Sequence, residues 1–310
     1  AIDPALLKDT TLSRQSLITR HLAAIVKRLD TSRVVTGGCN EVNPANHLFR
    51  SDALDVLGFN YHEQYLEPFL RNFPGRKLIV SESTSALMTR GYYEMPSDHI
   101  YIRPESWDKP FEAPEHVCSS YDNCHVPWGS THEKTWHLVK TLPHVSGLFV
   151  WTGFDYLGEP TPYWWPSRSS FFGIVDLAGF PKDVYYMYKS EWTDEPVLHI
   201  FPHWNWKEGE RVDIWAYYNN ADEVELYLNG KSLGVRQKTD STYHVSWRVP
   251  FTPGTLRAVS RLGGKEVLVK EIHTAGEPAR LVLTPDRSVI QADGSDLSFV
   301  TVDVCDIDGN

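Results

Sequence analysis

Lys77–Leu78–Ile79–Val80–Ser81–Glu82–Ser83 is the stretch whose reading decides the fold. Apolar residues run without alternation into a single carboxylate and stop in a Ser/Thr cluster. A short buried parallel strand that delivers one charged side chain at its end reads this way. The Pro74–Gly75 turn in front starts the strand near Arg76. A second run, Ser146–Gly147–Leu148–Phe149–Val150–Trp151–Thr152–Gly153–Phe154–Asp155, has the same texture and ends in Trp, Phe and Asp, residue types that line sugar sites.

Upstream, Ser16 to Asp30 predicts a helix. Ile18, Leu22, Ile25, Val26 and Leu29 recur at helical spacing as its core-facing stripe, with Arg20, Lys27 and Arg28 for the wet face. Arg33–Gly37 predicts a strand, Asn40–Pro44 a loop, Leu54–Tyr61 a second short strand, and the segment through Tyr65, Phe69 and Leu70 a helix. Helix and strand in alternation imply βα units and a parallel sheet. From Ser83 to about Ser130 the pattern dissolves into a long loop. Seven aromatics sit in it, among them Tyr92, Tyr93, Tyr101, Trp107 and Trp128, and they predict an ordered lid. His132–Lys140 then predicts a helix, Gly147–Thr152 the last parallel strand, and Asp183–Trp192 a closing helix.

After Thr193 the texture changes. Leu198–Phe201, Val212–Tyr218, Val224–Leu228, Ser232–Val235, Tyr243–Val249, Leu256–Arg261 and Val267–His273 predict short strands separated by Asn229–Gly230, Pro253–Gly254 and Gly263–Gly264. Val212, Ile214 and Ala216 alternate with their neighbours as a half-buried antiparallel strand does, and Asn–Gly is a hairpin signal. Residues 194–276 therefore predict an immunoglobulin-like β-sandwich. Gly276–Glu277–Pro278 reads as a linker, and residues 277–310 as the start of a further β domain, with strands at Leu281–Thr284 and Phe299–Val304. Trp204 and Trp206 read as exposed, with a minor expectation of glycan contact.

Composition narrows the function classes. A formal charge of −10 excludes a nucleic-acid binder that relies on a Lys/Arg excess. Aromatic content of 13% fits both well-filled cores and carbohydrate contact. No apolar run reaches the ~18 residues of a membrane span. Cys118 and Cys124 sit close enough in sequence for a small disulfide, but free thiols are the expectation. His116 and His125 beside them make no recognised zinc spacing, and no metal cluster or required cofactor is read from this stretch. Ala1–Ile2–Asp3–Pro4 does not have the form of a signal peptide and reads as a cut into a longer chain, which leaves the compartment open.

These residues resemble glycoside hydrolase family two, the β-galactosidase-like enzymes. The likeness rests on Leu29–Thr36, Asp55–Tyr61, Ile79–Glu82, Leu148–Trp151, Tyr163–Pro166, Phe172–Asp176, Gly179–Lys182 and Asn220–Gly230. It implies that residues 1–193 are the C-terminal half of a (β/α)8 TIM barrel, whose active groups sit at the C-terminal ends of the strands. It also implies that the first half of the barrel and the sandwich domains before it belong to the same polypeptide, upstream of Ala1.

The resemblance implies a retaining exo-β-glycosidase, most readily a β-galactosidase, acting through a covalent glycosyl-enzyme intermediate with two carboxyls about 5–5.5 Å apart. Glu82 matches the nucleophile, Tyr61 the tyrosine that hydrogen-bonds it, and Trp151 the floor under the sugar ring. Asn60, His62, Asp155 and Glu159 are the candidates for sugar hydroxyls. In the family an Asn–Glu pair ending the fourth strand carries the acid/base. Asn40–Glu41 is rejected for that role, because only one predicted strand separates it from Glu82 where two are required. The acid/base is expected upstream of Ala1. β-Glucuronidase and β-mannosidase share the barrel, but Arg90 and Arg168 are the nearest cations to the predicted strand ends, which tilts the reading to a neutral sugar. A non-catalytic carbohydrate-binding or scaffold protein is the rival class.

Overall fold

The computed structural model describes residues 11–310 apart from Trp107 and Pro110. Trp107, counted among the lid aromatics, therefore lies outside the described residues. Two compact units divide the chain, one ending at Tyr188 and the other spanning Lys189–Asn310.

In the first unit α1 (Arg14–Leu29) is capped by Ser13, whose Oγ accepts from Ser16 N at 3.1 Å. The helix is present, but the predicted stripe is not its buried face. Ser16, Leu17, Thr19 and Ala23 are buried, whereas Leu22 is 55% and Leu29 84% exposed. Polar tethers set this rotation: Ser16 Oγ donates to His47 O at 3.0 Å and Arg20 Nε to Ser51 O at 2.7 Å, holding α1 against α2 (His47–Arg50). The predicted strand Arg33–Gly37 is also displaced. The regular strand is β1 (Gly38–Cys39), and Val35 is tied instead to Asp55, its N–H donating to Asp55 Oδ2 at 2.7 Å.

β2 (Leu57–Asn60), β3 (Leu78–Thr84) and β6 (Val145–Trp151) complete a four-stranded sheet in the order β1-β2-β3-β6, every pairing parallel. The helix expected through Tyr65 and Phe69 is broken by Pro68 into a 3-10 turn (Glu63–Tyr65) and α3 (Phe69–Asn72). Leu57, Phe59, Leu78 and Val80 are at most 1% exposed and pack with Phe49, Phe69 and Phe73 beneath the sheet. Burying each of these side chains stabilises the unit by about 1.5–3 kcal/mol.

The described residues of the long connection between β3 and β6 are held by regular pairing and side-chain hydrogen bonds. This connection carries the two-residue pair β4 (Tyr101–Ile102) and β5 (Cys124–His125), then α4 (His132–Thr141). Asp122 caps α4, its carboxylate accepting from His132 N and Glu133 N at 2.8 Å each. Tyr93 OH and Ser120 Oγ donate to Asp183 Oδ2 at 2.8 and 2.6 Å, and Arg103 makes a two-point pair with Glu94. Cys118 and Cys124 are free and fully buried. α5 (Asp183–Trp192) crosses the division between the units.

The second unit is antiparallel. β7 (Leu198–Phe201), β8 (Arg211–Tyr218) and β11 (His244–Pro250) form one sheet, with β8 central. β9 (Glu223–Leu228), β10 (Lys231–Arg236), β12 (Thr255–Leu262) and β13 (Lys265–His273) form another, in the order β10-β9-β12-β13. The two-residue hairpins at Asn229–Gly230 and Gly263–Gly264 place both turn residues at positive φ, which Asn and Gly tolerate. β9 alternates as predicted, Val224 and Leu226 being fully buried. β8 does not: every residue after Arg211 is buried, and Asp213 survives there because Arg248 Nη2 donates to its Oδ2 at 2.9 Å. Trp204 is also not exposed. It is fully buried, with Nε1 donating to Thr252 O at 3.0 Å, while Trp206 stacks on His203. β14 (Arg280–Pro285) and β15 (Val300–Cys305) form a separate two-stranded sheet with exposed apolar side chains.

Candidate active site

The site is built where β2 and β3 end. Pairing runs in register as far as Phe59↔Val80 and resumes at Asn60↔Glu82, so Ser81 is an extra residue on β3. Such a bulge re-aims the side chains that follow it. Both residues flanking the slip then reach the Asn60 amide: Ser81 Oγ donates to Asn60 Oδ1 at 2.7 Å, and Asn60 Nδ2 donates to Glu82 Oε1 at 2.9 Å. The other Glu82 oxygen accepts from Tyr61 OH at 3.0 Å, and Tyr61 OH in turn accepts from Ser85 Oγ at 3.0 Å. Burial first, and then the Glu82 charge, push the Tyr61 phenol well above its ordinary range against the opposing Ser85 hydroxyl. Tyr61 is therefore a donor at any physiological pH.

Backbone strain concentrates here. Tyr61 and His62 sit at φ 57° and 58°, and Thr84 and Ser85 at 68° and 50°. A β-branched Thr at positive φ is a true outlier, and such residues cluster at functional sites. The left-handed pair at Tyr61–His62 turns the chain so that the His62 ring meets the carbonyl of Asn40, in the loop after β1. Glu41 beside it is exposed, and β2 alone separates its strand from β3.

Trp151 ends β6, paired with Thr84, and a cis peptide follows it. Its ring meets Tyr156 edge-on at 6.0 Å. Tyr156 OH makes a short hydrogen bond to Glu159 Oε2. Burial and the Glu159 carboxylate raise the Tyr156 phenol, and the charge of Glu82 adds to the effect. Glu159 is felt at Tyr61 as well. Glu82, Asn60 and Tyr61 form one hydrogen-bonded group and Trp151, Tyr156 and Glu159 a second, and the pairing of Thr84 with Trp151 joins the strands that carry them.

Asp155 presents no free carboxylate. Its Oδ2 pairs with Lys182 Nζ at 2.7 Å and its Oδ1 accepts from Gly173 N at 2.8 Å. Lys182 also donates to Met88 O at 2.7 Å, so this buried ammonium ties three segments together. Burial pushes Asp155 up and Lys182 down, each opposed by the charge of the other. Ser81, Ser85 and Tyr156 were not among the residues singled out from sequence. Ser81 owes its place to the bulge, and no periodicity announces a bulge.

Comparison with known proteins gives this geometry a setting. A β-galactosidase from Bacteroides ovatus, BoGH2A, is 60% identical over 98% of this chain. A β-glucuronidase from Formosa agariphila is 32% identical over 82% of it. The chain spans 36% and 25% of the length of these two relatives. The crystal structure of a glycosyl hydrolase family 2 member from Bacteroides cellulosilyticus matches with a TM-score of 0.70 and 29% identity, covering 98% of this chain and 37% of that one. A family model described as a domain of unknown function, DUF4982, matches residues 209–268. The Bacteroides ovatus relative and the multidomain neighbour each match 98% of the chain: this chain belongs to glycoside hydrolase family two.

Proposed function

We propose that this chain is the nucleophile-bearing part of a retaining exo-β-glycosidase, a β-galactosidase that releases terminal β-linked galactose. The observation that carries the reading is the Glu82 carboxylate, which accepts from Asn60 at 2.9 Å and from Tyr61 at 3.0 Å at the ends of adjacent parallel strands. Glu82 attacks the anomeric carbon, the bond to the leaving oxygen breaks, and a glycosyl ester forms on Glu82. Water then cleaves that ester. Asn60 and Tyr61 hold the carboxylate in one rotamer, and the Tyr61 hydroxyl is placed to follow its charge as the ester forms. Trp151 packs beneath the ring, while His62 and Glu159 meet hydroxyls. Asp155 acts as scaffold.

In this reading β1, β2, β3 and β6 are four successive strands of a (β/α)8 barrel. Residues 194–276 are an immunoglobulin-like sandwich, and 277–310 open a further β domain. The proton donor lies in the preceding part of the polypeptide, and Glu41 is not that group.

A β-glucuronidase is the second reading, favoured by the relative so named. Against it, Arg90 is paired with Asp176 at 2.7 Å and Arg168 lies over Trp165, so neither nearest cation is offered to a sugar carboxylate. The test is a panel of chromogenic β-glycosides on the full-length protein, with Glu82→Gln alongside. The galactoside is expected to be the best substrate, and the variant to lose at least about a thousandfold in kcat. Preference for the glucuronide overturns the sugar assignment. Near-intact turnover by the variant overturns the nucleophile.

A further inference from the structure

Successive residues of a strand point to opposite faces of its sheet. Ser81 and Glu82 are successive on β3, yet both side chains reach one amide, that of Asn60 on β2. The slip in register between Phe59↔Val80 and Asn60↔Glu82 makes this possible.

The amide is fixed from both ends. Ser81 Oγ lies 2.7 Å from Asn60 Oδ1, and an amide oxygen only accepts, so the hydroxyl donates. That commits Nδ2 to Glu82 Oε1, at 2.9 Å. With the hydroxyl on Oδ1, the amide plane is held and its N–H is polarised toward the carboxylate. Asn60 is 7% exposed, so little water reaches the amide.

Two glycines leave the space for this contact. A Cβ at Gly38, on β1, would stand 2.7 Å from Asn60 Oδ1 and 3.3 Å from its Nδ2. A Cβ at Gly58, on β2, would stand 2.8 Å from Ser81 Oγ. Neither glycine sits at positive φ, so the missing side chain, and not backbone freedom, is what each position supplies.

We infer that Ser81 is a positioning residue for the attack by Glu82: acting through the Asn60 amide, in room left by Gly38 and Gly58, it aims the carboxylate at the anomeric carbon. The inference rests on the glycosidase reading above. The contribution of Ser81 belongs to the step in which the bond from Glu82 to the anomeric carbon forms and the bond to the leaving group breaks. It does not belong to the binding of the sugar.

The test isolates that step in the full-length protein. 2-Deoxy-2-fluoro-β-galactosyl fluoride forms the ester on Glu82 and releases fluoride without needing a proton donor, and the ester then persists. Ser81→Ala is expected to lower the trapping rate constant kinact by at least about tenfold, while the half-saturating concentration stays within about twofold. Ser81→Thr, which keeps the hydroxyl, recovers most of that loss. Gly38→Ala, whose added methyl meets the Asn60 amide from the side of β1, lowers kinact by a similar factor. A role in packing alone would lower the urea midpoint of Ser81→Ala and leave kinact where it was. An unchanged kinact in both Ser81→Ala and Gly38→Ala overturns the positioning role, and with Glu82→Gln still untrapped it leaves the glycosidase reading standing. A loss in Ser81→Ala that Ser81→Thr does not recover also overturns it. Wild-type protein that is never esterified on Glu82 overturns both.

Discussion

At the scale of the residue, the proposed chemistry turns on how few groups touch Glu82 and how firmly they are held. Tyr61 is the most informative of them. It is 8% exposed and kept protonated by its surroundings, and it spends its one proton on Glu82 while Ser85 fills its lone pair. A hydrogen bond to a charged group is worth about 1.5–3 kcal/mol. Tyr61→Phe is therefore expected to cut kcat on a β-galactoside by roughly 10- to 100-fold with little change in stability, because the ring still packs. Steady-state kinetics beside a denaturant melt separates the two effects. Asp155 teaches the opposite lesson. From sequence it stood four residues after Trp151 as a sugar contact, yet its carboxylate balances the buried Lys182. A lysine twenty-seven positions away in sequence cannot be paired with it by any local pattern.

At the scale of the element, the bulge at Ser81 and the docking of the Gly129 segment hold the end of β3 from two sides. Gly129→Ala drives a methyl group into the Thr84 carbonyl, which is backbone and has no rotamer to yield. Overpacking of this kind costs about 1–3 kcal/mol. The denaturant midpoint should fall accordingly, whereas Gly153→Ala, with open space around its Cβ, serves as the neutral control. Element type was largely legible in the sequence. β2, β3 and β6 of the parallel sheet, α4, α5 and the seven strands from β7 to β13 fall within a few residues of their predicted spans, because buried runs and hairpin glycines are local signals. The orientation of elements was less so. α1 has the predicted period but buries a face set by its tethers to His47 and Ser51, and β8 is buried on both faces where its alternation predicts one.

At the scale of the whole molecule, the first unit stores a pH dependence in His132. This imidazole is fully buried, with Nδ1 against Tyr188 OH, and burial lowers its pKa to about 3. An unfolded histidine titrates near 6.5. Between those values the unfolded chain binds the proton and the folded one does not. Stability from this group is thus complete above about pH 6.5 and falls as the pH drops toward 3, by up to about 1.4 kcal/mol per pH unit. Urea melts of wild type and His132→Gln at pH 7 and pH 4 should show the wild type losing about 2–3 kcal/mol more than the variant over that span. What the sequence by itself determined was the kind of structure and the place of the carboxylate proposed as nucleophile. Strand-forming runs, turn residues and the placing of Glu82 after Val80 are all written within a few positions of one another. What the tertiary structure alone decided was which neighbours that carboxylate has. The extra residue on β3, the Asn60–Tyr61 clasp from the next strand, and the partnership of Asp155 with Lys182 all join residues distant along the chain. Such contacts are chosen by packing and charge balance in three dimensions, and a linear pattern carries no term for them.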